Sequence, residues 1–195
     1  MGPEYVSLQS KTFSRLVQGQ IAETAGPVEG QDPLQFHMDV IAGKTGSLIA
    51  TSAVFGGMVG GADEESLAAL DRFGEEIGVV FQLSDDIIDI TSDETGKTPG
   101  TDLREGIPTL PTLLLAASND PADLSLKDML AGDLSSDEAL AEALATLRNH
   151  RVMDEARAEV TRRAEVARSY LAPLPECEAK DALRDVCGQV VTRTS

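Results

Sequence analysis

The chain is poor in aromatic residues: among its 195 residues there are no tryptophans, two tyrosines and five phenylalanines. Alanine and leucine are abundant instead, a composition that suits packed helices. No strand-like alternation, tandem repeat or linker long enough to divide domains is present. The length is sufficient for one domain with its own core. The sequence therefore predicts a single all-α domain over residues 1–195.

Basic residues are also scarce, since 16 Lys and Arg stand against 33 Asp and Glu, which gives a net charge of −17 and a pI near 4.3. Much of the excess acid lies in residues 120–142. Nucleic acids and anionic membrane surfaces attract proteins of the opposite charge. We therefore expect neither of them as a partner.

The sequence has only two cysteines, and it shows neither a signal-peptide pattern nor an apolar run of membrane-spanning length. Cys177 and Cys187 lie ten residues apart on a predicted helix, which places them beyond disulfide distance. Met1 is followed by Gly-Pro-Glu and not by a basic segment and an apolar run. Residues 46–62 are rich in Gly, Ala, Ser and Thr and fall short of the roughly 20 apolar residues of a membrane span. These features predict a reduced, cytoplasmic protein without a membrane span.

Apolar periodicity and helix-start signals divide the chain into helices. Asp32 before Pro33 and Asp63 before Glu64 are expected to cap two of them. The predicted helices cover residues 4–24, 33–60, 64–91, 108–117, 123–131, 136–148, 151–171 and 178–192. A polar loop with Gly and Pro is predicted over residues 91–106.

Three carboxylates interrupt an otherwise apolar helix. Asp85 and Asp89 lie one turn apart on one side, with Asp86 beside them and Gln82 one turn earlier. Their mutual repulsion and apolar surroundings make them costly to bury unless a cation is bound. Clustered carboxylate oxygens suit Mg²⁺. The alternative is a solvated acidic face, but such faces usually carry interspersed basic residues, which are missing between Arg72 and Lys97.

Basic residues follow the acidic cluster in the predicted loop. Lys97 and Arg104 are placed within reach of the carboxylate end of the helix. A cation flanked by Lys or Arg is the arrangement expected for binding a diphosphate. For Lys97 alone, an ordinary exposed loop lysine is the simpler interpretation.

A further lysine lies in an apolar helix. Lys44 is preceded by Val40 and Ile41 and followed by Leu48 and Ile49, where an unpaired ammonium would be costly to bury. A bound diphosphate would supply the anion. The alternative is a lysine at a helix bend whose ammonium reaches solvent.

Taken together, the motifs resemble those of the trans-polyprenyl diphosphate synthases. The resemblance lies in the second aspartate-rich motif of that family and the loop after it. The matching segments are Phe81-Gln82-x-x-Asp85-Asp86-x-x-Asp89, Gly96-Lys97-x-x-Gly100-x-Asp102-Leu103 and Gly106-x-x-Thr109-Leu110-Pro111. Gly19-Gln20 and Lys44-Thr45-Gly46 also resemble elements of this family.

The resemblance implies a fold, a reaction and roles for named residues. The fold is a multi-helix bundle like the C-terminal portion of the isoprenoid synthase fold. The reaction is the Mg²⁺-dependent condensation of isopentenyl diphosphate with an allylic diphosphate. By the resemblance, Asp85, Asp86 and Asp89 bind Mg²⁺. The diphosphate ligands are Lys44, Lys97, Gln20 and Arg104, and the catalytic residues are Lys44, Thr45 and Gln82.

The sequence departs from the family pattern in three places. The first aspartate-rich motif and the N-terminal Gly-Lys-Arg segment for isopentenyl diphosphate are not found. Ile107 stands where many relatives have a lysine. The resemblance covers residues 2–168, so the chain looks like the C-terminal part of such an enzyme, and it is expected to be inactive alone if chemistry needs the other part.

Three interpretations remain open. The first is a partial synthase that associates as a homodimer or with a complementary chain, and whose residues 46–62 and 79–90 are apolar enough to predict a partner surface. The second is a non-catalytic regulatory subunit of a heteromeric polyprenyl diphosphate synthase. The third is another all-helical diphosphate-binding protein such as a terpene cyclase relative, which the scarcity of aromatic residues disfavours.

Overall fold

The computed structural model describes residues 2–91 and 99–194, and the regular structure in these ranges is helical. Ten α-helices are found there. They are α1 (Pro3–Ala25), α2 (Pro33–Ile41), α3 (Ser47–Val59), α4 (Glu64–Thr91), α5 (Thr101–Glu105), α6 (Leu110–Ala117), α7 (Leu124–Leu130), α8 (Asp137–Arg148), α9 (Arg151–Tyr170) and α10 (Glu178–Thr192). A π-helical segment (Ala42–Gly46) joins α2 to α3, and a 3₁₀ turn (Pro121–Asp123) precedes α7. The predicted all-α class is confirmed.

The helices begin where the sequence places their caps. The Asp32 carboxylate accepts a hydrogen bond from the Leu34 amide at 3.1 Å, and the Asp63 carboxylate accepts one from the Ser66 amide at 2.8 Å. Each satisfies an amide that has no partner within its own helix. The predicted map was wrong in two places: the helix over 33–60 contains the π-helical segment, and the predicted loop contains α5.

The chain forms two compact units. The first comprises Met1–Gln82 and Thr161–Thr192, and the second comprises Leu83–Val160 and Arg193–Ser195. Helices α4 and α9 contribute residues to both units. The single-domain organisation stays a prediction.

In the first unit, small residues let helices approach closely. Gly19 of α1 lies against Lys44: a Cβ built on this glycine would be 3.2 Å from the Lys44 amide nitrogen. A Cβ on Gly78 of α4 would be 2.6 Å from the Cα of Gly46. Backbone atoms cannot move aside as a flexible side chain can. These glycines therefore set the spacing of α1 and α4 from the segment that carries Lys44.

The core of the second unit consists of aliphatic side chains at 0–1% exposure. They are Leu83, Ile87, Ile90, Leu110, Leu115, Leu147, Val152 and Val160. Burying one such side chain contributes about 1.5–3 kcal/mol. The prediction that residues 79–90 form a partner surface was wrong, because most apolar side chains of this range are buried within the chain; Ile88 is half-buried and Phe81 is 37% exposed.

Both cysteines are free, with Cys177 exposed and Cys187 buried. Burial raises the pKa of the Cys187 thiol, which keeps it protonated and unreactive. Among the helices of residues 2–91 and 99–194, none has the length and hydropathy that a bilayer span requires.

Candidate functional site

The acidic motif lies near the C-terminal end of α4, in the second unit. Its three carboxylates differ in exposure. Asp86 is buried, with 3% of its surface exposed. The Asp85 side chain is 38% exposed, and Asp89 is half-buried. Each of them contacts a different part of the same unit. The three carboxylates therefore do not form one uniformly solvated acidic face.

Asp86 is bound to the start of α6. Its Oδ2 accepts a hydrogen bond from the Leu110 amide at 2.9 Å. The neighbouring Thr109 amide donates to the Thr112 hydroxyl at 2.9 Å, in a capping box. A buried carboxylate at a helix N-terminus satisfies an amide and interacts favourably with the helix dipole. The Thr109-Leu110-Pro111 part of the motif thus explains how a buried charge at Asp86 is tolerated.

Asp89 is bound to the turn before α5. Its carbonyl accepts from the Gly100 amide at 2.8 Å, and its Oδ2 accepts from the Asp102 amide at 3.2 Å. Gly100 has φ +74°, a conformation that glycine adopts readily and other residues rarely do. The glycine of the Gly100-x-Asp102 motif is therefore required to turn the chain back onto α4.

Asp85 is the accessible member of the motif. Its Oδ1 accepts a hydrogen bond from Arg193 Nη2 at 2.8 Å. A half-exposed carboxylate is chemically suited to a hard divalent cation, which prefers oxygen ligands and retains waters and phosphate oxygens. Asp89, one turn away, is the second carboxylate with part of its surface in solvent. No group of three acidic, histidine or cysteine side chains is arranged as a metal centre in the described part of the chain.

Of the two basic residues predicted as diphosphate ligands in the loop, the structure describes only Arg104. Arg104 is in α5, and its Nη2 donates to Asp137 at 2.6 Å, at the start of α8. Lys97 lies outside the described residues. Their roles as diphosphate ligands stay predictions.

In the first unit, Gln20 and Lys44 share one carboxylate partner, Glu23, which lies outside the predicted motifs. Glu23 Oε2 accepts from Lys44 Nζ at 2.5 Å and from Gln20 Nε2 at 2.9 Å. The Lys44 side chain is 27% exposed. The ammonium therefore has a carboxylate partner within the protein and also reaches solvent, so it is less buried than its apolar neighbours in sequence suggested.

Thr45 and Gln82 also contact each other, while their predicted catalytic roles stay predictions. The Thr45 hydroxyl donates to Gln82 Oε1 at 3.4 Å. Thr45 and Lys44 lie in the π-helical segment Ala42–Gly46. Such segments are rare and often occur at functional sites, because the wider turn redirects backbone and side-chain groups.

The sequence did not predict Glu23 and Arg193 as site residues, because each contacts a residue far away along the chain. Glu23 lies 21 residues from Lys44, and Arg193 lies 108 residues from Asp85. The available signal for Glu23 was its spacing of three residues from Gln20, which places both on one side of α1. No local pattern singles out Arg193.

The chain is similar to a family of known proteins. The family model described as "Polyprenyl synthetase" matches residues 1–147. A nonaprenyl diphosphate synthase from Mycobacterium tuberculosis is 40% identical over 195 residues, which are 99% of this chain and 58% of that protein. Component 2 of the heptaprenyl diphosphate synthase of Geobacillus stearothermophilus is 30% identical over 94% of this chain and 57% of that protein.

A solved structure gives the same result at the level of the fold. The geranylgeranyl pyrophosphate synthase of Corynebacterium glutamicum, complexed with calcium and isoprenyl diphosphate, has a TM-score of 0.91 and 40% identity. The match covers 100% of this chain and 61% of that one. This chain thus spans a little under two thirds of the length of these relatives, and it has the all-α isoprenoid synthase fold. By the family match and these similarities, the chain belongs to the polyprenyl synthetase family.

Proposed function

We propose that this chain acts in isoprenoid biosynthesis as part of a prenyltransferase that condenses isopentenyl diphosphate with an allylic diphosphate. Its share of the site is to bind Mg²⁺ and the diphosphate of the allylic substrate. The observation that carries this proposal is the accessible Asp85 carboxylate on a helix whose neighbouring Asp86 and Asp89 are fixed by the trailing loop. We expect the protein to be cytoplasmic.

The three carboxylates have distinct proposed roles. Asp85 would be the direct ligand of Mg²⁺, and Asp89 would be the second. Asp86 acts chiefly by holding α6, because its Oδ2 already accepts from the Leu110 amide. Mg²⁺ held there supplies positive charge that stabilises the departing diphosphate.

The polar residues of the first unit are proposed to bind and orient the substrate. Lys44 exchanges part of its contact with Glu23 for diphosphate oxygens, and Gln20 keeps Glu23 in place. Thr45 and Gln82, which are hydrogen-bonded to each other, are proposed to orient the bound diphosphate. Lys97 and Arg104 bind the remaining diphosphate oxygens. Loss of diphosphate leaves an allylic cation, which the double bond of isopentenyl diphosphate attacks. The released diphosphate then takes the proton whose loss forms the new double bond.

The partner surface is proposed to lie on α1. The Val6, Phe13, Val17 and Ile21 side chains recur at helical spacing and are 65%, 65%, 38% and 62% exposed. The opposite side of α1 carries the buried Thr12 and Gly19. A row of exposed apolar side chains on one helix marks a contact surface. We propose that a complementary chain covers this row and supplies the remaining part of the site.

The test is diphosphate binding by isothermal titration calorimetry, with farnesyl diphosphate as the ligand. We expect binding to require Mg²⁺ and to weaken by well over tenfold in Asp85→Asn, because a metal ligand is lost. Asp128→Asn is the matched control, since Asp128 is an exposed carboxylate of α7 and its loss changes the net charge equally. Binding that persists without Mg²⁺, or that falls equally in both variants, would refute the site.

A further inference from the structure

Arg193 and Thr194, which follow α10, contact side chains of the second unit. Arg193 Nη2 contacts Asp85 Oδ1 at 2.8 Å, and the Thr194 carbonyl accepts from Arg157 Nε at 3.0 Å. Thr194 is buried at 5% exposure. The side chains of the Arg193–Asp85 pair are 40% and 38% exposed, so the ion pair itself is solvated. The tail is therefore held beside the carboxylate that the proposed function assigns to the cation.

Arg193 and a divalent cation bound at Asp85 would share one carboxylate, whose Oδ1 accepts the hydrogen bond from Arg193. Mg²⁺ binds carboxylate oxygens at about 2.0–2.1 Å in a strict octahedral arrangement. A guanidinium at hydrogen-bond distance from that oxygen would enter the ligand shell, and the two positive charges would repel each other. Occupancy of Asp85 by one of them therefore weakens binding of the other.

We propose that Arg193 is an internal counter-ion that competes with the divalent cation for Asp85, so that cation binding releases the Arg193–Thr194 tail. The proposal rests on the proposed function in that Asp85 is taken as a cation ligand. Competition of this kind is reciprocal: whatever weakens tail docking strengthens cation binding by the same factor. Exposed ion pairs are modest in strength, so the expected factor is about two- to fivefold.

The first measurement is the affinity of the full chain for Mn²⁺ by isothermal titration calorimetry. We expect Arg193→Gln to bind Mn²⁺ about two- to fivefold more tightly than the unaltered chain. Arg72→Gln is the control, because it removes one positive charge from an exposed arginine of α4 in the first unit. Its affinity should change little.

The second measurement is tail accessibility, read as the rate at which carboxypeptidase Y removes C-terminal residues, followed by intact mass. We expect Mn²⁺ to speed removal in the unaltered chain. Asp85→Asn should speed it without any cation, because the charged partner of Arg193 is lost. This measurement does not depend on enzymatic activity.

The outcomes separate the two proposals. If Asp85→Asn abolishes Mn²⁺ binding but Arg193→Gln binds no more tightly than Arg72→Gln, the competition is refuted and the proposed site stands. A tail removed at the same rate with and without Mn²⁺ also refutes the competition. If Asp85→Asn binds Mn²⁺ as tightly as the unaltered chain, the cation site at Asp85 fails, and the competition fails with it.

Discussion

Replacing Gly78 by alanine tests the close helix approach on which the Lys44–Thr45 segment depends. A Cβ at this position would lie 2.6 Å from the Cα of Gly46 and 3.1 Å from its amide nitrogen. Carbon atoms in contact are normally about 3.5–4.0 Å apart. The contact is with backbone, so relief requires α4 and the π-helical segment to separate by about 1 Å.

The expected change in the free energy of unfolding of Gly78→Ala is the difference between two opposing effects. Overpacking of this kind costs about 1–3 kcal/mol, and the rigid backbone partner places Gly78→Ala in the upper part of that range. Alanine improves helix propensity by about 1 kcal/mol over glycine. The net loss of unfolding free energy is therefore about 1–2 kcal/mol, which lowers Tm by roughly 2–8 °C for a chain of this size.

Gly56 provides a matched control on α3. A Cβ there would meet no atom within 4 Å, so Gly56→Ala should gain up to about 1 kcal/mol from helix propensity alone. The assay is thermal unfolding followed by circular dichroism at 222 nm. The same substitution is thus expected to have opposite signs at the two sites, and a Gly78→Ala chain as stable as Gly56→Ala would refute the packing argument.

Two further predictions concern buried polar groups. Lys180, 3% exposed, donates to the carbonyls of Ala172 and Leu174 and to Glu176. Lys180→Met should lower the free energy of unfolding by about 1–3 kcal/mol, because these part-buried acceptors lose their donor. Lys11→Met on the exposed face of α1 should lower it little, and urea unfolding midpoints measure both changes. The hydrogen bond from Ser118 and the charge of Arg151 hold the pKa of Asp123 below its ordinary 3.8. A carboxyl with a lowered folded-state pKa stabilises the fold above its unfolded pKa and loses this contribution as pH falls through the folded value. Urea midpoints should therefore fall between pH 5 and pH 3 less steeply in Asp123→Asn than in the unaltered chain, and parallel pH profiles would contradict this.

Helix positions were predictable because they depend on local sequence. Asp32 and Asp63 cap their helices as expected, since a cap involves residues only two or three positions away. The π-helical segment was not predicted, because it depends on a change of hydrogen-bond register that no residue of Ala42–Gly46 signals alone. Its close contact with Gly78 is a tertiary feature.

The sequence brought the three carboxylates together on one helix, but it could not predict their different contacts. Spacing placed Asp85, Asp86 and Asp89 together, but it could not show that Asp86 caps α6 while Asp85 remains accessible. That division depends on Leu110, 24 residues from Asp86. The exposed row on α1 was also missed, because sequence shows which side chains are apolar and not which side of a helix the fold covers.

The most direct test of the central claim is a chimera in which this chain replaces the matching 58% of the M. tuberculosis nonaprenyl diphosphate synthase. The measurement is incorporation of labelled isopentenyl diphosphate into prenyl product with Mg²⁺ and farnesyl diphosphate. We expect product from the chimera and none from the same chimera with Asp85→Asn. Equal product from both chimeras, or a folded chimera that binds farnesyl diphosphate and makes no product, would contradict the account.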